Sequence, residues 1–322
     1  MQINKPTLQI ILGKQYNPYI NLAIESSLLD NYLENTISLF LWKNQQTVVI
    51  GTNQNPYSEC NVDALMNDNG HLARRRTGGG AVYHDLGNLN FSFVADKEIY
   101  DVKRQMTVIQ KALLNYGLET EVSGRNDITY QGRKFSGNAF AKTKHQGLHH
   151  GTILIKTDGE KLQRYLKVKP AKLHKHGVKS VASRVINLSE VADITSENII
   201  PHLIKAFEEV YQGKAKTIDF NELCSDEVVR QSQDIGSDEY LYGKWKEFNT
   251  KKNATFDWGS VEIDIDIDEN KGIIKNINIA SDSLDPASIN LAIEILKDAS
   301  IHNKPIFPKD NIIVRDIVEM IY

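Results

Sequence analysis

Gly78, Gly79 and Gly80 follow directly on Arg74, Arg75, Arg76 and Thr77, and no other stretch of the chain restricts its fold as much. A backbone without Cβ atoms reaches φ > 0 and approaches a neighbour or ligand closely. The adjacent guanidinium groups are planar, permanently charged donors, which suits an anion. After the glycines, Ala81-Val82-Tyr83 reads as a short strand, His84-Asp85-Leu86-Gly87-Asn88 as a turn, and Leu89 to Val94 as an alternating return strand. The expected shape is a hairpin with a glycine-lined mouth. On glycines and charges alone, an ordinary hairpin with a solvated basic rim fits equally.

The longer run from Arg75 to Asp85, Arg-Arg-Thr-Gly-Gly-Gly-Ala-Val-Tyr-His-Asp, continues as Leu86-Gly87-Asn88-Leu89-Asn90-Phe91 and resembles the signature of the lipoate–protein ligase A family. Gly132-Arg133-Lys134-Phe135-Ser136-Gly137-Asn138-Ala139 and His149-His150-Gly151-Thr152 resemble the second and third family blocks, in the right order. The resemblance is strongest from residue 20 to 190 and loose beyond 255. It implies an α/β fold of mixed α+β character: a large biotin/lipoate-ligase-like catalytic domain, with a mixed β-sheet flanked by helices, and a small C-terminal α+β accessory domain.

With 322 residues, one large and one small domain are the natural expectation. A composition of 41% hydrophobic and 25% charged residues at net charge −3 points away from disorder, membranes and a global nucleic-acid surface. No apolar run approaches a spanning length. Met1 to Pro6 lacks a secretory or transit pattern, so a cytoplasmic protein is expected; it is also expected to be a monomer. Cys60 and Cys224 lack metal or redox spacing.

Along the chain, Leu8 to Leu12 reads as a strand, and Asn17-Pro18 opens a helix with Ile20, Ala23, Ile24 and Leu28 on one face. Glu25 within it is assigned to packing. Ile37 to Trp42 and Thr47 to Gly51 read as a hairpin, and 101 to 116 as a helix stopped by Gly117. The Gln131-Gly132 turn places Asp127 and Lys134 on adjoining strands. Pro201 to Tyr211 and Ser225 to Glu239 read as helices. The expected division is a catalytic domain at 1–245, a linker at 246–254 and an accessory domain at 255–322, whose Val261 to Asp268 and Ile273 to Ile279 pair as strands. Asp264, Asp266 and Asp268 mimic a calcium loop, but Glu269 and Lys275 stand where glycine and glutamate are required.

Residues 161–184 carry eight Lys or Arg and no carboxylate. Nucleic acid is the usual partner of such a run, but aromatics other than Tyr165 are lacking. The resemblance makes Lys172 to Val185 the loop that closes over an adenylate, with Lys179 and Ser180 in the site. A metal at His174 and His176 is disfavoured by the flanking lysines.

The resemblance implies two half-reactions. Lipoate attacks the α-phosphorus of ATP, giving lipoyl-AMP and pyrophosphate; a lysine amine of the acceptor then takes the lipoyl group and releases AMP. Lys134 is the expected catalytic cation, because one ammonium can attract both anions and then stabilise the oxyanion. Arg75 and the N–H groups of Gly78 to Gly80 are assigned to carboxylate and phosphate oxygens. His84, Asn88 and Asp127 follow by hydrogen-bonding capacity, with Asp127 a candidate ligand of Mg²⁺ or of an adenylate amine, and His149 after them. Arg76, Ala81, Tyr83, Gly137 and Asn138 enter through the family blocks. The implied acceptors are lipoyl domains of 2-oxoacid dehydrogenase E2 subunits and the glycine cleavage H protein, with no nucleic acid or membrane as partner.

Rival readings differ in testable features. A related lipoyl or octanoyl transferase would carry its acyl group on a cysteine, yet Lys142 to Gly151 contains none. A non-catalytic nucleotide or nucleic-acid binder leaves the ordered blocks unexplained. No match to the glycine-arginine signature of biotin ligases is found.

Overall fold

A computed structural model describes residues 5–124, 126–167, 185–243, 250–268 and 272–322. Strands β1 (Thr7–Leu12) and β2 (Thr36–Trp42) lie side by side in parallel. Period-two alternation in β2 sends Leu39 and Leu41 into one core and Phe40 and Trp42 into another. Between them, helix Pro18–Asp30 starts as the sequence predicts, with the Asn17 side chain accepting from Tyr19 N and Ile20 N.

Strands β3 (Thr47–Ile50), β4 (His71–Arg74) and β5 (Val82–His84) form a separate sheet in the order β4-β3-β5. The large sheet is completed by β6 (Asn88–Asp96), β7 (Glu121–Ser123), β8 (Asp127–Tyr130), β9 (Arg133–Lys142), β10 (Gln146–Leu154) and β11 (Ala215–Ile218), in the order β11-β1-β2-β6-β10-β9-β8-β7. This corrects both early hairpins. β2 is buried along its whole length and spends its two edges on β1 and β6, leaving none for β3. Buried Asn44, which accepts from Asn21 Nδ2 at 3.0 Å, turns the chain off that sheet. Likewise β5 pairs with β3 rather than with β6, so the glycine mouth lies between two sheets.

On one face of the large sheet, Phe91 and Phe93 pack with Val108 and Ile109 of helix Val102–Leu114 and with Leu203 and Phe207 of helix Ser196–Tyr211. The latter starts before the expected Pro201, because the Thr195 and Asn198 capping box nucleates an earlier first turn. On the other face lie helix Pro18–Asp30 and helix Asp226–Ile235. The expected helix from Ser225 to Glu239 is two, broken at Gly236 and restarted by Ser237 as Asp238–Tyr242. No helix among the described residues is long and apolar enough to cross a membrane.

The accessory sheet runs β12 (Thr250–Phe256), β13 (Gly259–Asp268) and β14 (Ile273–Ser281), covered by helices Pro286–Leu296 and Ile312–Ile321 around Ile263, Ile265, Ile289 and Val314. Residues 250–254, expected as linker, are therefore strand, paired with β13. Their alternation of half-buried and exposed positions is weak, which hides them from periodicity. At the end of β14 and just past it the chain docks on the larger part: Ser281 N donates to Asn53 O at 2.8 Å and Gly79 N to Ser283 O at 2.9 Å.

Candidate functional site

The polar face of β6 explains where a site can form. Leu89, Phe91 and Phe93 point into the core, so the intervening Asn88, Asn90 and Ser92 point together to the opposite face. There the two sheets and the 282–284 segment enclose a cavity of about 290 Å³. Its apolar lining includes Leu22, Trp42, Val49, Ala81 and Val82, and its polar lining includes Arg75, His84, Asn90, Asn126, Asp127, Lys134 and His150.

Asp127 and Lys134 meet as the sequence predicts. Gln131 (φ 50°) and Gly132 (φ 74°) make the tight turn between β8 and β9. Asp127 Oδ1 lies 2.7 Å from Lys134 Nζ, with both side chains about one-third exposed. Gly137 leaves room beside them: a Cβ there would sit 2.8 Å from Lys134 Nζ.

Arg75 lines the cavity and at the same time holds the loop around it. It is 5% exposed, and its donors go to protein: Nε to Thr77 Oγ1 at 2.9 Å, Nη1 to Val49 O at 3.1 Å, and Nη2 to Gly78 O at 2.7 Å and Gly80 O at 2.8 Å. Burial lowers its pKa to about 10, with Glu25 and Glu59 opposing, so it remains a cation near neutrality. The guanidinium thus shapes the glycine loop, whose Gly79 has φ 91°. Gly78 is bare because a Cβ would lie 2.1 Å from Ser283 O.

His84 is held by Asn44, whose Nδ2 lies 3.2 Å from Nδ1. Burial, then the charge of Arg75 and the nearness of His150, lower its pKa to about 3, so the ring is neutral. Gly79, Gly80, Ala81, Gly137 and Asn138 all reach the cavity, whereas Gly78, Arg76, Tyr83, Asn88 and His149 are not among its lining residues. Arg76 pairs at the surface with Asp30 at 2.6 Å. Tyr83 packs 5.6 Å from the Tyr165 ring, and Asn88 donates to Asn90 at 2.8 Å. Lys179 and Ser180, with the rest of the basic segment from 168 to 184, lie outside the described residues.

Sequence reasoning missed Glu25 and His150. Glu25 is 2% exposed and its Oε1 sits 2.8 Å from His150 Nδ1, while also accepting from Ser92 Oγ at 2.6 Å. Ser92 in turn accepts from Trp42 Nε1 at 2.9 Å, and His150 Nε2 lies 2.8 Å from Thr77 Oγ1. One network therefore runs from Arg75 to Trp42 beneath the cavity. A carboxylate between apolar Ile24 and Leu28 on a helix was the available signal for Glu25. Asp282 and Leu284 of the accessory part also line the cavity and had no sequence signal.

Residues 17–208 match the lipoyl protein ligase A/B catalytic domain family, and 246–307 match the bacterial lipoate protein ligase C-terminus. The chain is 40% identical to a lipoate-protein ligase A of Bdellovibrio bacteriovorus over 299 residues, 90% of this chain and 87% of that one. It is similar to the crystal structure of P. falciparum LipL1 in complex with lipoate, with a TM-score of 0.82 and 32% identity over 97% of this chain and 98% of that one. A Thermoplasma acidophilum structure of a bipartite lipoate protein ligase and its E2 lipoyl domain aligns with a TM-score of 0.66 and 25% identity, covering 76% of this chain and all of that one. A cavity with a buried apolar wall and a partly exposed Lys134, built on the glycine loop and followed by the matching C-terminal module, thus places this chain in the lipoate–protein ligase family.

Proposed function

We propose that the chain is an ATP-dependent lipoate–protein ligase that forms lipoyl-AMP and then lipoylates a lysine on lipoyl domains of E2 or glycine cleavage H type. The observation that carries this reading is the position of Lys134. Its ammonium stands beside Asp127 on a cavity whose other residues include the apolar Leu22, Trp42, Val49 and Val82. An apolar tail ending in a carboxylate matches that distribution.

In the first step a lipoate carboxylate oxygen bonds to the α-phosphorus as the bond to pyrophosphate breaks, and pyrophosphate leaves with the electron pair. Lys134 draws the two anions together and offsets the charge that develops between them. In the second step the acceptor amine adds to the carbonyl carbon, loses a proton and expels AMP. The same ammonium then faces the developing oxyanion. Arg75 contributes through the loop it holds, keeping the glycine backbone in place for phosphate oxygens.

Mg²⁺ would be held here by the cavity-lining Asp127 together with substrate phosphates, since one or two carboxylates with phosphates form its usual ligand set. Bound there, the ion would neutralise phosphate charge. The test is mass detection of lipoyl-AMP from lipoate and ATP, followed by addition of an E2 lipoyl domain. Lipoyl-AMP that disappears as the domain gains a lipoyl group is the expected result; no adenylate from lipoate and ATP overturns the reading.

A further inference from the structure

His149 and His150 are consecutive on β10, so they face opposite sides of the sheet. His150 lines the cavity, while His149 is fully buried beneath, with its ring 5.4 Å from Phe91, 5.9 Å from Phe93 and 5.0 Å from Phe140. Both of its nitrogens are nevertheless engaged: Nε2 lies 2.9 Å from Asn138 Oδ1 and Nδ1 lies 3.0 Å from Gln105 Oε1. Burial, then the neighbouring His150, lowers its pKa to about 3. The neutral ring owns a single N–H, so two facing oxygens cannot both be served.

Asn138 decides which nitrogen carries the proton. Its Nδ2 donates to Asn126 O at 3.0 Å and to Ser136 Oγ at 3.3 Å, so its Oδ1 must face His149 and accept from Nε2–H. A half-turn of the Gln105 amide then presents its NH₂ to Nδ1. In the other orientation Gln105 Nε2 and the Tyr211 hydroxyl are both buried without a partner. Gly151 leaves room for this contact, because a Cβ there would lie 2.5 Å from Asn138 Oδ1 and from the Phe91 ring.

The chain of bonds ends at the reacting centre. Asn126 O also accepts from Asn138 N at 2.8 Å, and the next residue, Asp127, opens β8 and meets Lys134 Nζ at 2.7 Å. We propose that His149 is a positioning residue: by donating Nε2–H to Asn138 it locks the amide that holds the Asn126 carbonyl, and so fixes where Asp127 presents its carboxylate to Lys134. This rests on Lys134 being the cation at the reacting centre.

Two measurements test it. In protein labelled with ¹⁵N-histidine, long-range ¹H–¹⁵N correlation, assigned by the signal lost in His149→Gln, is expected to show a neutral Nε2–H tautomer from about pH 5 to about pH 8. An Nδ1–H tautomer, or an imidazolium in that range, overturns the proposal. In kinetics, His149→Leu is expected to lower kcat for lipoyl-AMP formation by roughly 10- to 100-fold with little change in lipoate KM, the size of loss that a small misplacement causes. His149→Gln, which keeps a donor near the Nε2 position, is expected to retain activity within about threefold. Adding His149→Leu to Asn138→Ala is expected to cost nothing further. Additive losses, or a loss confined to lipoate KM, overturn the proposal. Failure of the unaltered protein to form lipoyl-AMP would sink the ligase reading instead, while the tautomer still decides the hydrogen-bond assignment.

Discussion

Asp127 Oδ1 and Lys134 Nζ stand 2.7 Å apart across the β8–β9 turn, with side chains 36% and 35% exposed. Exposure of about one-third leaves the ammonium reachable by substrate, and the carboxylate holds it at one point without burying it. A preorganised cation of this kind is worth about 3 to 4 kcal/mol at the transition state.

Lys134→Ala should therefore lose roughly 100- to 1000-fold in the rate of lipoyl-AMP formation, with its circular dichroism spectrum unchanged. Lys134→Arg should fail as well, because a planar fork cannot place compact charge at the same point. Supplying synthetic lipoyl-AMP to Lys134→Ala should restore transfer only in part. Activity within about threefold of the unaltered protein would remove Lys134 from the centre of the mechanism.

Gly137→Ala examines the same point by displacement rather than deletion. The added Cβ meets Lys134 Nζ at 2.8 Å and Cε at 2.9 Å, and the flexible end of the lysine yields more readily than strand β9. Unfolding should be nearly unaltered, while kcat should drop by about tenfold or more through misplacement of the ammonium. Equal kcat in single-turnover assays would show that the amine tolerates the shift.

Arg75→Ala removes the donors that hold the carbonyls of Val49, Gly78 and Gly80. Urea denaturation should show a loss of about 3 kcal/mol, the scale of removing a charged partner from buried acceptors. Arg75→Lys should recover little of it, since one ammonium cannot span those divergent carbonyls. A variant of full stability with only a raised lipoate KM would return Arg75 to direct substrate capture.

Acid should destabilise the fold through its buried imidazoles. His84 and His149 have pKa values lowered from 6.5 to about 3 when folded, so the unfolded chain binds more protons between those limits. Stability then rises with pH in that window, is fully present above the unfolded value, and falls as pH drops below it. Each ring contributes a slope of about 1.4 kcal/mol per pH unit. Urea midpoints at about pH 7.5 and about pH 5 should differ accordingly, with a smaller slope in His149→Gln. A flat profile would mean that folding leaves the pKa values of these rings unlowered.

Cys60 is fully buried and its thiol is pushed up to about 12 by burial, and neither it nor Cys224 lines the cavity. A thiol so protonated is a poor acyl carrier. Cys60→Ala combined with Cys224→Ser should lipoylate an E2 domain at near the original rate, and omission of ATP should abolish the reaction. An ATP-independent activity lost in the double variant would favour a transferase.

Local features were legible in the sequence where neighbours along the chain decide the outcome. The positive-φ turn at Gln131 and Gly132 brings Asp127 to Lys134, Asn17-Pro18 starts a helix, and the Asp-rich alternation of β13 marks an accessory strand. Tertiary structure decided the remainder. Which of His149 and His150 meets the cavity depends on a period of two, so an offset of one residue exchanges their faces. Glu25 finds its imidazole 125 residues away, and nothing in the composition of its own helix names that partner. The charge of Arg75 is written in the sequence, whereas the carbonyls of Val49, Gly78 and Gly80 that it also holds are brought to it by folded loops. Docking of Ser283 on Gly79 joins segments that no local propensity relates. Turn chemistry and alternation act over a few residues, whereas the partner of a buried polar group is set by which strands and loops close around it.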